Sequence, residues 1–427
     1  MIKLHKILLK NFRGFKEIEI TFEDHITCIA GINGAGKTTI LQAIAKSLSL
    51  LANKASLTNK KNYTLGKNDI HRDSVSYEDF IGNAEIKAAY NFNGRAYITD
   101  YELEYFGGKT SSTTKADKIN FIEDTEYPVF SYYAATRDAT SMEESINKEV
   151  AASNVYELYS NLDTEITNYN DFFTWYRRRE DIENERLIMA HRNNIPGYDY
   201  DIELQSVRYA IESFFGKKYK MHVNRTENIL LVDNGKNEIS FSNLSEGEKS
   251  IILLIGDIAR KLAITSSVRY KKLPMDVKDI INSDGIILID EIEMHLHPSW
   301  QRKISKILIE TFPNCQFIIT THSPQVLGEL KTDEIWLLNN FTVYRPTASF
   351  GLTSNEILDE IMDVIDEDKS LSRNRIIAEK LSKVSMLVEE EKFSEAKKVI
   401  DEIETFAGGE LHETTKYKTI IDMMGEE

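Results

Sequence analysis

Three short runs in this chain carry residue types suited to chemistry on a phosphate chain. The first is Gly31-Ile-Asn-Gly-Ala-Gly36-Lys37-Thr38. It fits the spacing G-x-x-x-x-G-K-[ST], with an apolar strand before it and a helical pattern after it. Glycines let backbone N–H groups turn inward to approach phosphate oxygens, and the helix N-terminus adds its positive dipole. Lys37 is placed to reach the outer phosphates, and the Thr38 hydroxyl to complete a Mg²⁺ shell. Asn33, Gly34, Gly36 and Thr39 complete the candidate nucleotide-binding set. The second run is Gly285-Ile-Ile-Leu-Ile-Asp290-Glu291. A strand of apolar residues ending in two carboxylates presents them at the C-terminal edge of a sheet, where a phosphate loop also lies. Asp290 would hold the metal through water, and Glu291 would orient and deprotonate an attacking water. The third run is Thr320-Thr321-His322-Ser323-Pro324, directly after another apolar strand. A lone histidine at a strand end is more often structural, so His322 gains meaning only from its company.

That company includes Leu244-Ser245-Glu246-Gly247-Glu248-Lys249-Ser250, which opens a helix. Alone, such a start is an ordinary N-cap. The order phosphate loop, LSEGEK, apolar-DE, THSP resembles the ATP-binding-cassette (ABC) ATPases, over about Met1 to Arg345. Asn11-Phe12-Arg13-Gly14-Phe15 resembles the opening motif of their RecF/SMC branch, which implies that Arg13 lies near the nucleotide. The resemblance implies ATP and Mg²⁺ as cofactors, and two chains sandwiching two ATP. Ser245, Gly247 and Glu248 would then serve the γ-phosphate bound by the other chain, with His322 as the switch histidine. Isolated monomers would be poor ATPases. One departure stands out. The only glutamines between Lys37 and Ser245 are Gln42 and Gln205, neither placed as the ABC Q-loop glutamine. Phe130-Ser-Tyr-Tyr-Ala-Ala-Thr-Arg137 occupies that place.

The elements that must position these residues follow from periodicity. Short alternating strands lead into the phosphate loop, and Glu85–Asn91 and Ala96–Phe106 read as a hairpin around Asn93-Gly94. Continuous apolar strands alternating with helices indicate a parallel core covered on both faces. The expected class is α/β: an ABC-type P-loop ATPase head, a mixed sheet with a parallel core, a compact helical insert and a C-terminal helical extension. The expected domains are a lobe over 1–140, a helical insert over 141–215, a second lobe over 216–345 and an acidic extension over 354–427. The insert lacks sustained heptads and a C-x-x-C hook, so it is no SMC-type coiled coil. Trp175-Tyr-Arg177-Arg178-Arg179 within it reads better as a solvated basic turn over a buried aromatic face than as a nucleic-acid contact. Lys217, Lys218 and Lys220 read the same way. His295 and His297 are better placed to line an interface than to bind a metal.

Composition narrows the partners. Of 427 residues 41% are apolar and 28% charged, an ordinary globular balance that rules out disorder throughout. The net charge of −16 argues against coating nucleic acid by bulk charge. Residues 354–427 hold 20 acidic and 10 basic side chains, so most of that charge sits in the extension. Cys28 and Cys315 lie in separate apolar runs and read as buried thiols. No apolar run reaches membrane-span length and the start lacks a signal peptide's pattern, so a cytoplasmic protein without a membrane partner is expected. Asp366-Glu-Asp368 has toprim-like spacing but helical surroundings, so a nuclease within this chain is rejected. Ile376, Ile377, Leu381, Val384, Leu387 and Val388 form a helical stripe, and a second helix ends at Gly408-Gly409; an exposed pair of this kind would suit docking. Size, Glu291-Ile-Glu293-Met-His295-Leu-His297-Pro298 and the acidic extension are most similar to the ATPases of Septu and retron anti-phage systems. That family implies a homo-oligomer, a dimer of heads or higher, that regulates an HNH-type endonuclease docked on the extension, with nucleic acid reached through the complex. The alternative is a RecF/SMC-like repair ATPase that binds DNA directly.

Overall fold

The computed structural model describes residues 1–55, 57, 65–71, 82–106, 109–119, 127–138, 158–159, 162, 166–194, 200–217, 219–270, 276–358, 361 and 374–424. They form two compact units, Met1–Gly351 and Leu352–Glu427.

The first unit is built on two sheets. The six-stranded sheet runs, edge to edge, Thr342–Tyr344, Ile335–Asn339, Ile26–Gly31, Cys315–Thr321, Gly285–Ile289, Val129–Tyr133. All neighbours are parallel except the first pair. Ile26–Gly31, Gly285–Ile289 and Cys315–Thr321 are buried along their whole length. Both faces are therefore covered, as is usual for a parallel core. The five-stranded antiparallel sheet runs Phe15–Thr21, Ile2–Phe12, Gly82–Phe92, Arg95–Phe106, Lys109–Ala116. Between the sheets lies the helix Lys37–Lys54, whose Ile40, Ile44 and Leu48 share a core with Leu9, Ile86 and Leu288. Each such side chain contributes about 1.5–3 kcal/mol of transfer free energy. A polar pin crosses this core: the Gln316 amide accepts from Leu4 N at 2.7 Å and donates to Leu4 O and Glu23 O, each at 2.8 Å. Cys28 and Cys315 are buried free thiols.

The expected hairpin is present, with Asn93 at φ 49 and Gly94 at φ 79 in its turn. Its third strand, Lys109–Ala116, was not expected, because its almost wholly exposed side chains show no apolar alternation. Lys220–Asn224, Ile229–Asp233 and Glu238–Ser240 form a small antiparallel sheet.

The insert departs from a purely helical reading. Much of 141–165 lies outside the described residues, and Ile166–Asn168 is a strand, parallel to Thr136–Asp138. Two helices follow, Asn170–Arg192 and Ile202–Phe215. The basic turn is structural. Trp175 and Tyr176 are buried, Arg177 pairs with Asp181, and Arg179 pairs with the fully buried Asp201 at 2.5 Å and with Glu203 at 3.2 Å. Burial raises the Glu203 carboxyl to about 7 against the pull of Arg179.

The second unit corrects the exposed pair. Its described residues include three long helices, Arg375–Glu389, Phe393–Ala407 and His412–Met424. Leu381, Val384, Leu387 and Val388 pack on Ala396, Val399, Ile400, Ile403 and Ile421, so most of the stripe is spent on the unit's own core. Only Ile376 of the stripe is exposed. Gly408 ends the middle helix at φ 77, the left-handed cap that glycine adopts without strain. Asp366 to Asp368 lie outside the described residues. No helix among the described residues is long and apolar enough to cross a membrane.

Candidate nucleotide site

The parallel order brings the three chemical runs to one edge. Ile26–Gly31 delivers the phosphate loop, its neighbour Cys315–Thr321 delivers His322, and Gly285–Ile289 beyond it delivers Asp290 and Glu291. Gly31 must be glycine because a Cβ there would stand 2.4 Å from the Leu338 carbonyl oxygen. Gly36, at φ 105, caps the helix Lys37–Lys54 with no side chain, and that helix has no acid in its first turn. The first-turn amides of a helix have no acceptor of their own. Uncapped, with Lys37 beside them, they suit an anion.

Lys37 is buried and donates to the carbonyls of Gly31 and Ile32, at 2.9 and 3.0 Å. Burial lowers its pKa from the ordinary lysine value, against Asp290, Glu291 and Glu293. The Thr38 hydroxyl donates to Asp290 Oδ2 at 2.7 Å, and Thr320 Oγ1 to Asp290 Oδ1. A hydroxyl and a carboxylate in contact are the hard oxygen donors Mg²⁺ takes, so this pair fits the ion. Glu291 sits at φ 46, a left-handed conformation that costs a non-glycine residue about 1–3 kcal/mol and clusters at functional sites. Its carboxylate stands 4.0 Å from His322 Nε2, while His322 Nδ1 is 3.5 Å from Lys37 Nζ. An ammonium facing Nδ1 demands an acceptor there, which puts the ring proton on Nε2, toward Glu291. Burial, then Lys37, lower the His322 pKa against the three carboxylates, so the ring is neutral at pH 7.

Two further residues, Glu293 and Arg137, complete the frame. Glu293 accepts from the His322 amide at 2.5 Å and from Thr321 Oγ1 at 2.8 Å, strapping the histidine loop to the carboxylate turn. Arg137 donates to the carbonyls of Asp290 and Glu291, at 2.6 and 3.2 Å. Glu293 stood in a recognisable stretch. Nothing in the type of Arg137 announced it, beyond its place where the glutamine is missing.

The remaining candidates have the following places. Arg13 pairs with Asp69 at 2.8 Å and bonds Gln42, and Phe15 of the same stretch braces the loop, 2.8 Å from where a Gly36 Cβ would stand. Burial would raise the Asp69 carboxyl, but the Gly66 amide, Lys46 and Arg13 outweigh it and hold it below its ordinary value. Ser245 is exposed and forms a reciprocal cap with Glu248: its hydroxyl and amide donate to Glu248 Oε2 at 2.8 and 3.0 Å, and the Glu248 amide donates back at 3.3 Å. Gly247 is buried against this chain's own His295, whose carbonyl oxygen would stand 2.6 Å from a Cβ. His297 caps the helix Pro298–Thr311, its Nδ1 accepting from Ser299 N at 3.3 Å. Asn33, Gly34 and Thr39 lie along the phosphate loop and its helix, and a Cβ on Gly34 would meet nothing within 4 Å.

Residues 26–328 match the family described as "AAA domain, putative AbiEii toxin, Type IV TA system". "Retron Vc95 probable ATPase" of Vibrio cholerae serotype O1 biovar El Tor is 30% identical over 412 residues, 84% of this chain and 78% of that one. The chain belongs to this AAA family, with the retron ATPases. "Septu protein PtuA" of Bacillus thuringiensis is 25% identical over 384 residues, 87% of the ATPase described here and 86% of that protein. The "SMC head domain from Thermotoga maritima" overlays with a TM-score of 0.41 at 16% identity, across 80% of this ATPase and 98% of that domain.

Proposed function

We propose that this ATPase serves anti-phage defence as an ABC-type head that closes on a second copy around ATP and governs an HNH-type endonuclease partner. The supporting observation is the convergence of Lys37, Thr38, Asp290, Glu291 and His322 at one sheet edge, in a chain similar to retron and Septu proteins. ATP phosphates take the amides of Gly34 through Thr39, and Lys37 moves from its loop carbonyls to the outer phosphates. Thr38 and Asp290 are the residues that would hold Mg²⁺, which would supply charge neutralisation along the phosphate chain. Glu291 takes a proton from the attacking water, and the Nε2–H of His322 faces the oxygen that gains charge. The exposed Ser245 lies free to serve a second copy's nucleotide once Glu248 releases it. The extension offers a partner its acidic outer surface with exposed Met386, Phe406 and Met423, since its apolar stripe is occupied.

Glu291→Gln tests this reading. Hydrolysis falls about 10²–10⁴-fold while ATP binding persists. The trapped protein then elutes as a dimer or larger species with ATP and smaller without it, and it retains the nuclease only when residues 352–427 are present. A monomer in both states sinks the sandwich. Capture of duplex DNA without any protein partner favours the repair-type alternative, which the internally paired Arg177 and Arg179 do not favour.

A further inference from the structure

We propose that Arg137 is the positioning residue of hydrolysis: it holds the Glu291 peptide in place and ties that geometry to the helical insert. The inference rests on the reading of Glu291 as the base. Around Glu291 the N–H groups of three successive residues are held by neighbouring strands: Asp290 N on Tyr133 O at 2.8 Å, Glu291 N on Thr320 Oγ1 at 2.8 Å, Ile292 N on Thr320 O at 3.1 Å. The carbonyl side is held by Arg137, whose terminal nitrogen reaches Asp290 O and Glu291 O while its Nε reaches Ala134 O at 3.2 Å. A planar, always charged fork does this, and a lysine's single ammonium cannot span the same three acceptors. Between them these bonds fix the left-handed backbone at Glu291 and hence the direction of its carboxylate.

The same residue faces the insert. In the strand pairing, Arg137 stands opposite Thr167, and the insert helix Asn170–Arg192 begins directly after that strand. A displacement of the insert therefore moves Thr136–Asp138, and with it the guanidinium that sets Glu291. A second tie runs along the same strand end. Tyr133 donates its hydroxyl to the buried Asp257 of the helix Glu246–Tyr270 at 2.8 Å, and Asp257 is also paired with Lys261 at 2.9 Å. The helix behind Ser245 and the turn bearing Glu291 are thus joined through one short segment, the one that lacks a glutamine.

The test uses the full chain with Mg²⁺ and ATP. Arg137→Ala should lower kcat about 10²-fold, the scale of a small misplacement of a catalytic group. ATP affinity and the unfolding midpoint should stay near the parent's. Arg137→Lys, which keeps charge and volume, should fall between, and it carries the test if the alanine variant does not fold. Adding Arg137→Ala to Glu291→Gln should slow the chain by less than about threefold further, because both act on one step. A purely structural role predicts full multiplication and parallel loss of ATP affinity. Parent-like turnover in Arg137→Ala, or multiplicative loss in the double variant, overturns the inference. A fully active Glu291→Gln instead overturns the base reading, so the two failures are distinguishable.

Discussion

Two helices of the first unit begin in opposite ways. Lys37–Lys54 starts at a glycine with no side-chain cap and no acid in its first turn, so its end amides and dipole face an unneutralised space beside Lys37. Glu246–Tyr270 starts with Glu246 and Glu248 in its first turn and a reciprocal Ser245–Glu248 cap. The first start needs an anion from outside, while the second supplies its own. The difference favours the first start as the place for a phosphate within one chain. It also says what the second must give up to serve a neighbour's phosphate: a cap worth about 1 kcal/mol, plus the repulsion between Glu248 and the incoming charge. ATP bound across two copies would therefore open that cap, coupling assembly to a local rearrangement.

The largest effect comes from disarming the first start. Lys37→Ala removes the only cation within the loop run and should weaken ATP binding by about 2–5 kcal/mol, roughly 30-fold to several thousand-fold. Calorimetric titration would read it, and the rise in melting temperature that ATP gives the parent should vanish. Parent-like affinity would mean that the uncapped amides alone hold the phosphates, and the contrast between the two starts would lose its charge component. A smaller effect follows at the second start. Glu248→Gln keeps an oxygen that can cap Ser245 but deletes its charge. ATP-dependent dimerisation, measured by light scattering in the Glu291→Gln background, should then need about 2- to 10-fold less protein. Weaker dimerisation would show that the Glu248 charge assists assembly.

What could be read from residues alone divides along the same physical line. Gly285–Ile289 and Cys315–Thr321 were legible because strands buried on both faces are predominantly apolar, as Gly285–Ile289 is throughout and Cys315–Thr321 is at Phe317–Ile319. Lys109–Ala116 was not, because an exposed edge strand has no such pattern to show. His412–Met424 was legible only as part of a helical extension and not as a helix of its own, because Thr414 and Ile421 are its buried positions, too few to draw a stripe. The stripe of Arg375–Glu389 was legible, but a stripe says that a face is covered and not by what. Lys37, Asp290, Glu291 and His322 offered themselves as candidates by type and spacing. Arg137 did not, because it acts on backbone carbonyls about 150 residues away, which any sequence presents.

The smallest predicted effect again separates the two starts, through a proton. His322 stands at the first one, 3.5 Å from Lys37 Nζ, and its folded-state pKa lies below the ordinary 6.5 because burial and Lys37 disfavour the cation more than Asp290, Glu291 and Glu293 favour it. Below 6.5 the unfolded chain therefore binds more protons at this site than the folded chain does. Where the unfolded state holds the excess, stability rises with pH. The folded state thus loses stability as pH falls from 6.5 toward the depressed folded value, and the slope ends once the folded imidazole is itself protonated. Urea unfolding of the ATP-free chain between about pH 5 and 7 should show this slope, and His322→Gln should flatten it. Ser245→Ala should lower the curve by about 1 kcal/mol without changing its slope, since the second start is capped by a hydroxyl that does not titrate in this range. An unchanged slope in His322→Gln would assign the proton to another group and leave the imidazole's neutrality, on which its placement of Nε2–H toward Glu291 depends, without support from titration.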